Sequence, residues 1–141
     1  MRWANAGHPP PLIINPEGTI AELTDWHGDL MLGVDPAARR RESVITLKRE
    51  TTVLLYTDGL IERRRSSLDE GMARLRSAAA DLADRALDEL CDELIDRLVE
   101  GKPEDDVALV AIRLHRQDRP RPAEAGPLKV PPTVKPDPAA H

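Results

Sequence analysis

The chain has 141 residues, 40% hydrophobic and 32% charged, enough for one domain with a real core and too few for two comfortable ones. A net charge of −5 argues against the basic face that broad nucleic-acid binding needs, and a single cysteine excludes an internal disulfide or a cysteine-rich zinc site. No apolar run reaches the ~18 residues of a membrane span and no charged-then-apolar leader opens the sequence, so the expectation is a cytoplasmic protein with no membrane partner.

Trp3, Trp26 and Tyr56 are the aromatics, so Leu, Ile, Val and Ala must supply the core. The first third reads as short strands and turns. Residues 2–6 and 12–15 flank Gly7-His8-Pro9-Pro10-Pro11, where three prolines have no N–H to give a ladder. Asn15-Pro16-Glu17-Gly18 signals a turn, and residues 19–23 follow as a strand. Residues 28–36, with their glycines and Asp29 and Asp35, read as an irregular loop. Residues 43–47 and 51–56, separated by Lys48-Arg49-Glu50, have the spacing of a β-hairpin.

After Asp58-Gly59 the period changes. Leu68, Met72, Leu75, Ala79 and Leu82 step by four and three and share one helical face. Leu87, Leu90, Cys91, Leu94, Ile95 and Leu98 repeat the pattern, closed by Gly101 with Pro103 beyond it. Residues 107–114 return as a last strand. From Gln117 onward prolines crowd the sequence and periodic apolar residues vanish. The expected organisation is one domain over 1–116 and a disordered proline-rich tail over 117–141. The fold class is α/β, an antiparallel sheet with two packed helices inserted before its last strand.

Two apolar runs each carry an aspartate at one end. Asp58 follows Val53-Leu54-Leu55-Tyr56-Thr57, and Asp105 precedes Val107-Ala108-Leu109-Val110. If the runs are neighbouring antiparallel strands, the two carboxylates converge on one edge of the sheet. Carboxylates held that close repel unless a cation neutralises them, and hard oxygen ligands suit Mg²⁺ or Mn²⁺. Each residue also has a plainer reading. Asp-Gly is a favoured turn dipeptide, and Glu104-Asp105-Asp106 can be a solvated acidic loop.

The same segments resemble the SpoIIE/RsbU branch of the metal-dependent PPM-type serine/threonine protein phosphatases. Ala4-Asn5-Ala6-Gly7-His8-Pro9-Pro10-Pro11 is similar to that family's strand and Ala-Gly-His-x-Pro turn. Leu54-Leu55-Tyr56-Thr57-Asp58-Gly59-Leu60-Ile61-Glu62 is similar to its strand ending in Tyr-Thr-Asp-Gly, and Asp105-Asp106-Val107-Ala108-Leu109 to its terminal Asp-Asp strand. Leu32-Gly33-Val34 and Gly71-Met72-Ala73-Arg74-Leu75 stand at the expected places between and after them. The resemblance implies half of an α-β-β-α sandwich and the hydrolysis of phosphoserine or phosphothreonine on a protein. It implies two Mn²⁺ or Mg²⁺ ions in the complete domain, with Asp58 and Asp105 as metal ligands and Asp106 as a supporting group. A phosphorylated regulatory protein of the anti-anti-sigma type is the partner it implies. The family's Gly-Asp-Val-x-Gly-His-Gly segment, which supplies a bridging aspartate, has no counterpart before Met1. The chain therefore resembles the later part of the domain. The competing expectation is a non-catalytic phosphatase remnant or a regulatory interaction module.

Other chemistry-bearing residues invite weaker readings. His8 has the pKa range of an acid–base catalyst but sits in the family's turn, which favours a structural role. His27 and Asp29 share a loop without ligand spacing. Arg39-Arg40-Arg41 and Arg63-Arg64-Arg65 could attract a phosphoprotein, although charge runs are usually solvated faces. Cys91 falls on an apolar helical face and reads as a small core residue. No phosphate-binding Gly-x-x-x-x-Gly-Lys loop, Gly-x-Ser-x-Gly elbow or His-Glu-x-x-His helix occurs.

Overall fold

The computed structural model describes residues 1–24, 30–63, 66–99, 101 and 105–115. In chain order these form β1 (Arg2–Trp3), β2 (Leu12–Ile14), β3 (Ile20–Glu22), β4 (Ser43–Val44), β5 (Thr52–Tyr56), a 3-10 turn (Asp58–Leu60), α1 (Leu68–Asp81), α2 (Leu87–Leu98) and β6 (Leu109–Arg113). The expected tail, His27, Asp29, Arg64 and Arg65 lie outside the described residues.

The β-branched and leucine-rich run of β5 suits a central strand with partners on both edges. It pairs antiparallel with β2 (Leu12↔Leu54) and with β6 (Leu54↔Ala111), and β3 completes the order β3-β2-β5-β6. Residues 43–47 therefore do not form the expected hairpin with β5. β4 pairs instead with β1, Trp3 opposite Ser43, in a separate two-stranded ribbon. The Met1 amine donates to the Ile45 carbonyl at 2.7 Å, and the Ile45 amide donates back to Met1 at 2.9 Å. The physical reason is burial. Ile45, Leu47 and Trp3 pack over Ile13, Leu23 and Val53, which they could not reach from the sheet edge.

Both helices start and lie where the periodicity places them. Ser67 and Glu70 form a reciprocal capping box, with the Glu70 carboxylate accepting from the Ser67 amide at 2.9 Å. α2 has no side-chain cap; Asp88 and Glu89 in its first turn and Arg97 in its last complement the backbone dipole. Met72, Leu75, Ala79 and Leu82 pack with Leu90, Leu94 and Leu98 on Leu12, Ile14, Leu54 and Tyr56, forming the main core. Three expected stripe residues, Leu68, Cys91 and Ile95, stay outside it. Leu68 opens α1 56% exposed, and Ile95 is 38% exposed at the stripe's margin. Cys91 is half-buried, and burial followed by Asp92 and Asp88 pushes its thiol pKa up, which suits packing and opposes thiolate chemistry.

The other face of the sheet is only partly covered. The ribbon shields β2 and β5, whereas Val110 and Ile112 of β6 remain 52% and 50% exposed. Between ribbon and sheet runs an apolar groove of about 640 Å³, lined by Trp3, Val44, Leu47, Val53, Leu55 and Ile112 among others.

Candidate metal-binding edge

The register of β5 on β6 decides where the aspartates go. Tyr56 pairs with Leu109, so the residues after Tyr56 and those before Leu109 meet at one edge. The contact is close. Thr57 donates its amide to the Ala108 carbonyl at 3.0 Å, and its hydroxyl donates to the Asp106 carbonyl at 2.8 Å. The next residue but one, Gly59, lies so near that a Cβ on it would stand 2.7 Å from the Asp106 oxygen and 3.2 Å from that of Asp105. Contacts that tight are closed to a side chain. Asp58 is flanked by these two residues, and its turn thus stands against the segment carrying Asp105.

Each carboxylate is set by its own turn. One Asp58 oxygen accepts from the Gly59 amide at 2.9 Å, and one Asp105 oxygen accepts from the Asp106 amide at 2.7 Å. Both side chains belong to exposed residues, and neither has a further protein hydrogen bond among the described residues. The second oxygen of each is available to a cation. Two exposed carboxylates on abutting turns fit a hard divalent ion that keeps several waters. Among the described residues no group of three or more His, Cys, Asp or Glu side chains could hold a metal. The donors at this edge are therefore two carboxylates, fewer than a closed metal site needs.

Other candidates resolve into structural work. Asn5 and His8 close a turn on each other, with the His8 amide donating to Asn5 Oδ1 at 2.8 Å and Asn5 Nδ2 donating to the His8 carbonyl at 2.7 Å. His8 Nδ1 lies 2.8 Å from the Pro9 carbonyl, which can only accept. That turn belongs to the same edge, because the buried Tyr56 hydroxyl donates to the Pro10 carbonyl at 2.9 Å. Arg63 donates to the Leu98 carbonyl at 2.7 Å at the end of α2, and Arg40 holds the carbonyls of Leu30 and Met31. Both guanidiniums are thus engaged with backbone.

Sequence reasoning names Thr57, Gly59 and Gly71 only as motif positions and assigns them no part in the site. Their signal lies in the register and the close approach of backbones, neither of which a single sequence displays. Gly71 is packed on the turn itself: a Cβ there would overlap the Ile61 carbonyl. α1 thereby presses directly on the chain just after Asp58–Leu60, whose amide bonds run from Leu60 to Thr57 and from Ile61 to Asp58.

No helix among the described residues is long and apolar enough to cross a membrane. The family described as Stage II sporulation protein E (SpoIIE) matches residues 1–115. The RsbU and RsbW domains of a Mycobacterium tuberculosis protein are 33% identical over 81% of this chain and 32% of that one, with a TM-score of 0.67. The phosphatase domain of SpoIIE from Bacillus subtilis, presoaked in Mn, matches 92% of this chain and 55% of that chain at 19% identity and a TM-score of 0.62. The PPM Ser-Thr phosphatase MsPP from Mycobacterium smegmatis, in complex with cacodylate, matches 80% of this chain and 55% of that chain at 19% identity and a TM-score of 0.50. The chain thus spans from 32% to 55% of the length of these solved structures.

Proposed function

Because the chain belongs to the SpoIIE family, in the SpoIIE/RsbU branch of the PPM-type phosphatases, we propose that it contributes the Asp58–Asp105 edge of a metal-dependent protein serine/threonine phosphatase. The reaction is hydrolysis of phosphoserine or phosphothreonine on a regulatory protein, and an anti-anti-sigma-like protein is the substrate class. The observation that carries this reading is the abutment of the Thr57–Gly59 turn on Asp105 and Asp106. It supports Asp58 and Asp105 as ligands of Mn²⁺ or Mg²⁺, with Asp106 supporting through its backbone. A divalent ion bound there supplies Lewis acidity toward a phosphoryl group and a water. The chain's own part is to hold that charge at one sheet edge and to fix the direction of both carboxylates through the Gly59 and Asp106 amides.

Two carboxylates leave a two-ion site incomplete, so further residues of a phosphatase domain must complete it. Mn²⁺-dependent phosphate release from a phosphoserine protein tests this, first with the chain alone and then with the chain joined to the remaining part of a relative's phosphatase domain. We expect negligible turnover by the chain alone, turnover by the joined protein, and its loss in the joined Asp58→Asn variant. Ordinary turnover by the lone chain would mean that other residues complete the site.

A second reading, a regulatory module without catalysis, draws support from the lack of a three-ligand group among the described residues. A joined protein that is folded and metal-loaded yet inert would favour it.

A further inference from the structure

At Thr57 one residue ends a strand and begins a turn, and its carbonyl serves the turn rather than the strand. In a regular antiparallel pair the Ala108 amide would donate to the Thr57 carbonyl, reciprocating the bond from the Thr57 amide to the Ala108 carbonyl. That carbonyl instead accepts from Leu60 at 3.1 Å, closing the turn that carries Asp58. The side chain fills the gap. Ala108 donates its amide to Thr57 Oγ1 at 2.9 Å, while the same hydroxyl donates its proton to the Asp106 carbonyl at 2.8 Å. Thr57 makes no side-chain cap on its own turn; its hydroxyl is spent wholly across the edge.

We propose that Thr57 is the positioning residue of the candidate metal edge: its hydroxyl, bridging the Ala108 amide and the Asp106 carbonyl, sets the spacing between Asp58 and Asp105. This rests on the metal-ligand reading above. A hydroxyl is required because the position needs an acceptor for Ala108 and a donor for Asp106 at one atom. Serine meets that need and valine, of nearly the same shape, does not. Gly59 makes the complementary contribution, since only a residue without a Cβ lets the turn lie against Asp105 and Asp106.

The test is calorimetric titration of Mn²⁺ into the full chain and into Thr57→Ser, Thr57→Val, Gly59→Ala and Asp58→Asn, with amide hydrogen exchange at Ala108 read by NMR. Circular dichroism confirms that each variant is folded. We expect Thr57→Ser to bind within about threefold of the parent. Thr57→Val should lose tenfold or more in affinity and exchange the Ala108 amide at least tenfold faster. Gly59→Ala should also bind more weakly while keeping the hydroxyl, which guards against a Thr57→Val protein that does not fold. Parent-like affinity in Thr57→Val, with binding lost in Asp58→Asn, overturns the role of Thr57 alone. Unchanged Ala108 exchange in Thr57→Val overturns the bridge itself. Absence of Mn²⁺ binding by the parent, or binding that Asp58→Asn leaves unchanged, overturns the metal reading and the positioning role with it.

Discussion

The two faces of the four-stranded sheet are built from similar residues and finished differently. On one, Leu12, Ile14, Leu54 and Tyr56 meet two amphipathic helices and are buried to 2% exposure or less. On the other, Ile13 and Val53 meet a two-stranded ribbon, and beside them Val110 and Ile112 stay half exposed along the groove. Alternation along a strand gives both faces apolar side chains, but only an opposing layer turns that pattern into burial. The helical face is therefore where the described fold stores its stability. The open face carries apolar surface of the kind that marks a contact with further polypeptide.

Truncation on the helical face should have the largest effect. Leu75→Ala and Leu90→Ala each leave a cavity under a fully buried side chain, and urea denaturation should show a loss of about 2–5 kcal/mol for each. Next comes Gly71→Ala. The added methyl must displace the Ile61 carbonyl, and a cost of about 1–3 kcal/mol is expected despite alanine's better helix propensity. Because that carbonyl follows the Asp58 turn, the same variant should weaken Mn²⁺ binding, whereas Leu90→Ala should leave it nearly unchanged in the folded fraction. Ser67→Ala removes the cap of α1 and should cost about 1 kcal/mol.

Substitution on the open face should barely register in the same assay. Ile112→Lys is expected to change stability by no more than about 0.5 kcal/mol, and to reduce concentration-dependent association in analytical ultracentrifugation. A loss as large as that of Leu75→Ala would show the two faces to be energetically alike. The smallest effect belongs to acid. Hydrogen bonds from the Ser66 hydroxyl and then the Ser67 amide hold the Glu70 carboxyl below its ordinary pKa. A lowered folded-state pKa contributes stability that is complete above the ordinary glutamate range and lost as pH falls through the lowered value. Glu70→Gln should flatten that acid limb of the urea midpoint.

Much of this was legible in the sequence where local rules decide. The leucine stripe from Met72 to Leu98 gave both helices, and the two aspartate-ended runs led to the antiparallel β5–β6 pair. The hairpin between residues 43–47 and β5 was misread because loop length and alternation do not say whether a strand lies beside a sheet or across it. Ile45 and Leu47 fit either place, and the choice falls to β6 and β2, which occupy both edges of β5. Asp58 and Asp105 could be paired from their positions at the run ends. Thr57 could not be singled out, since its task arises only when the Leu60 amide claims its carbonyl.

The pairing of Tyr56 with Leu109 brackets both helices in the sequence. On a ribosome, the Asp58 turn and the α1–α2 hairpin emerge well before β6 does. The helical hairpin consists of local contacts and can form early, whereas closure of β6 onto β5 must draw together a long intervening loop. Asp105 arrives with β6. The candidate metal edge therefore comes into being only once β6 has docked on β5, and a divalent ion that prefers it would act as a late lock, shifting the balance toward chains in which that strand is in place.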